Sequence, residues 1–155
     1  MKPRLDVFKA APQMIQAMLD LEAKVKASGL EKSLYELVKT RASQINGCAY
    51  CIHMHTKDAI ADGESVERLL LLDAWRESPL YTDRERAALE WTESLTLVAE
   101  THAPDSAYEA LASQFTPDEQ VKLTVLIGAI NVWNRLSIGF RNIHPVAVKA
   151  QHAAA

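Results

Sequence analysis

Apolar residues recur along this chain at spacings of three and four, the period of helices with one buried face. Residues 11–28 read as a first helix, with Met14, Ile15, Met18, Leu19, Leu21 and Val25 as its apolar positions and Gly29 as its stop. A second helix is expected from Ser33 to about Ile45, carrying the stripe Leu34, Leu37, Val38, Ala42 and Ile45. Asn46-Gly47 turns the chain, and a third helix runs from Cys48 to about Ala61 before Asp62-Gly63. Ser65 is placed to cap a helix through Leu69–Leu72. Thr82-Asp83-Arg84-Glu85 reads as a capping box that opens a helix to about Glu100. A shorter helix is expected from Pro104 to Ser113. Thr116-Pro117-Asp118-Glu119 opens the most apolar one, from Val121 to Ile138, and a last helix falls around Pro145–Gln151. No β-rich run or hairpin signal interrupts the series, so the pattern predicts an all-α fold. Several helices are apolar on more than one face, which suggests burial against other subunits.

The 155 residues suit a single domain over 1–155 with a real core. A chain 48% hydrophobic and 24% charged is ordinary for a globular protein, and a formal charge of -3 gives no electrostatic case for nucleic acid. No uninterrupted run of 18 apolar residues occurs, so no membrane span is expected. The opening Met-Lys-Pro-Arg-Leu-Asp lacks the apolar segment of a secretory signal, so cytoplasmic residence is expected. In that compartment a Cys-x-x-Cys pair is more often catalytic or metal-binding than a structural staple.

That pair is the chemical centre of the sequence. Cys48 and Cys51 are the only cysteines; His55 follows Cys51 by four residues and Glu36 precedes Cys48 by twelve. At about 100° per residue, Cys48, Cys51 and His55 fall within roughly 60° of one another on one helix face, and His53 projects elsewhere. A thiolate near a helix N-terminus is stabilised by free N–H groups and the positive end of the dipole. At least one of these thiols is therefore expected to ionise readily, and the pair to cycle between dithiol and disulfide. The helices flanking Asn46-Gly47 are joined so tightly that they should pack antiparallel. At 1.5 Å per residue, Glu36 and His55 then lie roughly 13–15 Å from the turn, level with one another. A carboxylate there can orient the imidazole as a base. Glu36 equally fits a capping box with Ser33, three residues earlier. A metal site of Cys48, Cys51 and His55 completed by Glu36 is a weaker competitor, since His53 cannot join it. Arg41 lies on an apolar stripe and should be paired or at an interface. The polar residues of Asn131-Val132-Trp133-Asn134-Arg135 should hydrogen-bond neighbouring helix ends or a subunit interface.

The run Glu36, Arg41-Ala42-Ser43-Gln44-Ile45-Asn46-Gly47-Cys48-Ala49-Tyr50-Cys51 and His55-Thr56, with Asn131–Leu136 as a weaker second block, resembles the AhpD-like alkylhydroperoxidase branch of the carboxymuconolactone decarboxylase family. The resemblance implies an AhpD-like helical bundle with the Cys-x-x-Cys at a helix N-terminus, and a homo-oligomer, often a trimer or hexamer. It implies that Cys51 is the peroxidatic thiol and Cys48 its disulfide partner, with His55 and Glu36 as the relay that deprotonates Cys51. Where the best-known member has a histidine before the second cysteine, this chain has Tyr50. The expected activity is thiol-dependent reduction of hydroperoxides, with no metal, haem or other cofactor. It needs an external thiol donor such as a lipoyl group or a thioredoxin-like protein. Two alternatives stand beside it: a redox-sensing or structural oligomer without turnover, and a lyase or decarboxylase that shares only the fold.

Overall fold

The computed structural model describes residues 2–145, and within them the chain is helical without a strand. The elements are α1 (Val7–Ala10), α2 (Pro12–Lys26), α3 (Lys32–Asn46), α4 (Ala49–Ala61), α5 (Val66–Leu71) with a 3-10 turn at Leu72–Ala74, α6 (Asp83–Thr96), α7 (Val98–Thr101), α8 (Asp105–Gln114) and α9 (Pro117–Phe140). The all-α expectation holds. Of the helix expected at Pro145–Gln151, all but Pro145 lies outside the described residues.

Local chemistry sets the ends. Pro12 and Pro117 occupy first-turn positions, where the missing N–H is not needed. Thr82 with Glu85, and Thr116 with Glu119, form complete capping boxes. Gly47 ends α3 in the left-handed region at φ 68°, and the Cys48 N–H then reaches back to the Ser43 carbonyl at 2.9 Å. Several boundaries depart from the periodic reading. The four-residue α1 is too short to have a periodic signature, and rests on Asp6 accepting from the N–H groups of Phe8 and Lys9. Ser65 stands at the N-cap of α5 without a side-chain bond, and its own N–H donates to Glu64 Oε1 at 2.8 Å. The helix expected through Glu100 breaks at Leu97, and α7 continues after it.

α3 is the central element. It packs against α4, α6 and α9, and every residue from Leu34 to Ser43 is buried. One side of α3 joins Val25, Ala88, Leu111, Phe115, Leu123 and Leu126 in the main core; Leu37, on the other, packs with Ala59, Leu72, Trp75 and Leu89. The second apolar face of α3 is thus satisfied within the chain. α9 is long and apolar enough, by length and composition alone, to cross a membrane. Its inward residues Leu123, Leu126, Ile127 and Ile130 are core residues here, and its Asn131 and Asn134 bond to α6 and α3. Val121, Val125 and Val132 on its outer side are exposed.

The start of α9 is pinned electrostatically. Arg84 reaches both Glu119 and Glu31, and the bonds from Arg84 and the Thr116 N–H pull the Glu119 carboxyl down to about 2 from an ordinary 4.5. A carboxyl depressed on folding adds stability above its unfolded value and loses it as pH falls through the folded one. Glu119→Gln should therefore unfold at lower urea than the parent at neutral pH, with the gap closing as pH falls from 4.5 towards 2. A gap that persists at the acid end would contradict this origin.

Candidate active site

The α3–α4 hairpin builds the site. Cys48 is the N-cap of α4, and its Sγ accepts from the Cys51 N–H at 3.3 Å. Cys51 sits in the first turn of α4, where unpaired N–H groups and the helix dipole favour negative charge on sulfur. The two form a disulfide, with Cα atoms 5.3 Å apart, and both residues are buried. One turn on, His55 Nδ1 lies 2.9 Å from Glu36 Oε2 across the hairpin. Glu36 is 6% exposed and His55 4%, so the pair is screened from solvent. Glu36 therefore meets the histidine. The alternative capping role is not adopted, because α3 begins at Lys32 with Glu31 as its N-cap, which leaves Ser33 inside the first turn.

His53 stays out of this set and stacks on His144 at 4.7 Å. Arg41 is buried and paired: its Nε donates to Glu93 at 2.8 Å, and its guanidinium also reaches Asp73 and Gln44. Trp75 and Arg76 bond to the same Glu93. The carboxyl is held below its ordinary range by these donors against the opposing effect of burial. This knot ties α3 to α6 and lies apart from the cysteines.

The polar residues of α9 act on the cysteine turn. Asn46, the last residue of α3, donates to Asn131 Oδ1 at 3.0 Å and to Asn134 Oδ1 at 2.8 Å. Asn134 donates to Ser43 Oγ at 3.0 Å, and Asn131 to Thr96 Oγ1 at 3.2 Å. Two residues before Cys48, the backbone is thus held by α9, and α9 is held to α6. The second block of the sequence resemblance fixes where the first block's cysteines sit.

Cys51, His55 and Glu36 line one cavity of about 320 Å³. Val7, Phe8 and Leu19 from α1 and α2 wall it on one side, and Ile130, Trp133 and Leu136 from α9 on another. Tyr50 and Met54 complete the apolar lining. A second polar group that the sequence reading missed also faces it: Lys39 on α3, paired with Glu22 on α2. Lys39 is one turn beyond Glu36, a usable signal, but Glu22 is brought near only by the fold. Asp58, also in the lining, joins Glu36 and His55 in offering ligand atoms within 4.8 Å of one another. In the disulfide state the alternative donor set of Cys48, Cys51, His55 and Glu36 has no thiolate to offer a metal.

The sequence profile of the carboxymuconolactone decarboxylase family matches residues 12–94, from α2 through most of α6. The chain belongs to that family. Within it, the likeness is to the AhpD-like branch. A protein of unknown function from Agrobacterium tumefaciens, provisionally assigned as antioxidant defence protein AhpD, superposes with a TM-score of 0.91 at 50% identity, over 94% of this chain and 99% of that one. The uncharacterised protein YdfG of Bacillus subtilis is 39% identical over 142 residues, 92% of this chain and 97% of its own. The debrominase Bmp8 shares the fold at 18% identity and a TM-score of 0.77, over 88% of this chain and 73% of that one. The AhpD-like helical bundle, with its Cys-x-x-Cys at the start of α4, is thus the fold of this family member.

Proposed function

We propose that this family member is a thiol-dependent peroxidase that reduces organic hydroperoxides through a Cys48/Cys51 dithiol–disulfide cycle. The observation that carries the reading is the buried Glu36–His55 pair opening on the same cavity as Cys51. His55, oriented by Glu36, takes the proton of the Cys51 thiol. The thiolate attacks the terminal oxygen of the hydroperoxide; the S–O bond forms, the O–O bond breaks, and the alkoxide leaves as the alcohol, its proton balanced by the one removed from Cys51. Cys48 then displaces the hydroxyl of the Cys51 sulfenic acid as water, forming the disulfide. Two electrons pass from the thiols to the peroxide in each cycle.

A dithiol donor, a lipoyl group or a thioredoxin-like protein, returns the disulfide to the dithiol. The apolar walls favour an alkyl or aryl hydroperoxide over hydrogen peroxide. The exposed outer face of α9, at Val121, Val125 and Val132, supports a homo-oligomer, a trimer or hexamer. The test is steady-state hydroperoxide consumption with dihydrolipoamide and with a reduced thioredoxin as donors, with the disulfide followed by mass. Turnover well beyond one equivalent, with one disulfide formed per peroxide in the absence of donor, is expected. Disulfide formation that stops after one equivalent with every donor would instead mark a redox sensor. Hydroperoxide consumption that survives alkylation of both thiols would remove the thiol cycle, and a protein that consumes no hydroperoxide with any donor would leave the lyase alternative standing.

A further inference from the structure

Lys39 faces the cavity that holds Cys51 and His55, yet the relay leaves it without a task. It is 2% exposed. Its Nζ donates to the Tyr35 hydroxyl at 2.7 Å and pairs with Glu22, which also accepts from Trp133 Nε1 at 3.2 Å. An ammonium so buried is costly unless paired, and an apolar side chain would fill the place more simply. Glu36, the carboxylate that orients His55, stands one turn away on the same helix, so both polar walls belong to one reacting space.

The peroxidase chemistry needs two proton transfers. One removes the proton from Cys51 and falls to His55. The other supplies a proton to the alkoxide that departs when the O–O bond breaks, at the end of the substrate away from sulfur. We infer that Lys39 is a second catalytic residue, whose ammonium protonates the departing alkoxide; this rests on the peroxidase reading above. The S–O bond forms as the O–O bond breaks, the leaving oxygen takes a proton from Lys39, and the alcohol departs. The proton His55 takes from Cys51 equals the one Lys39 gives up, so the step closes without net gain or loss once both groups re-equilibrate. Burial pushes the Lys39 ammonium below the usual lysine range, against the pull of Glu22, Glu36 and Asp58, which makes it a readier acid.

The test is single-turnover oxidation of the pre-reduced protein by two oxidants. Tert-butyl hydroperoxide leaves as an alkoxide and needs a proton; peracetic acid leaves as acetate and needs none. Lys39→Met should slow the first by about 10²-fold and the second by no more than about threefold, the range a lost general acid spans. Lys39→Arg keeps the cation and the pair with Glu22 but holds its proton too tightly to donate it. It should show the same selective loss, and it carries the test if the methionine variant fails to fold. An equal loss on both oxidants, or wild-type rates in Lys39→Arg, would overturn the inference while leaving the peroxidase intact. A parent protein that reacts with neither oxidant would sink the peroxidase reading itself.

Discussion

Cys51→Ser should reduce hydroperoxide turnover to the uncatalysed background, a loss of about 10³-fold or more, as expected for removal of a nucleophile. Serine preserves the shape and the place at the start of α4, but its oxygen is neither ionised near neutral pH nor able to accept an oxygen atom. The disulfide closes a loop too short to constrain the unfolded chain by more than about 2 kcal/mol, so the variant should remain folded. Cys48→Ser separates the two roles. It should consume one equivalent of peroxide at close to the parent rate and then halt, with a sulfenic acid on Cys51 that a dimedone adduct identifies by mass. Full steady-state activity in Cys51→Ser would remove the thiol cycle altogether. A Cys48 variant dead in its first turnover, beside a live Cys51 variant, would exchange the two assignments.

Periodicity and spacing made much of this site legible because its parts are local. Cys48, Cys51 and His55 share a helix face by arithmetic alone. The short Asn46-Gly47 turn forces α3 and α4 side by side, so Glu36 and His55 meet as their equal distances from the turn require. The competing role of Glu36 as a cap was decided by a shift of the α3 start to Lys32, a boundary effect that no side-chain pattern announces. Lys39 escaped notice because its partner is on another helix: Glu22 lies 17 residues earlier, and nothing in α2 taken alone marks it. The polar run Asn131–Arg135 was visible as an anomaly in an apolar helix. Its job of holding Asn46, two residues before Cys48, needed the packing of α9 on α3. Elements shorter than two turns, such as α1 and α7, carry too few residues to display a period.

Glu36→Gln should slow Cys51 oxidation by about 10²-fold while leaving the fold intact. On the proposed cycle His55 becomes an imidazolium when it takes the Cys51 proton, and at 4% exposure it has little water to stabilise the charge. The carboxylate 2.9 Å away supplies that stabilisation. Two unit charges 4 Å apart attract by about 4 kcal/mol at an effective dielectric near 20, and part of that is offset by the cost of burying Glu36 itself. A net 3 kcal/mol or so on the charged intermediate corresponds to about a hundredfold in rate. Glutamine keeps the shape and one hydrogen bond but removes the charge, so it isolates this contribution. Because it also removes a buried carboxylate, its melting temperature should not fall, and a circular-dichroism melt checks this beside the stopped-flow rate. Ser33→Ala makes the matching control: with no bond between Ser33 and Glu36, it should leave rate and stability near those of the parent, whereas the capping role would make it the more damaging of the two. If Glu36→Gln oxidises as fast as the parent, the carboxylate is a packing partner of His55 and the base acts unaided.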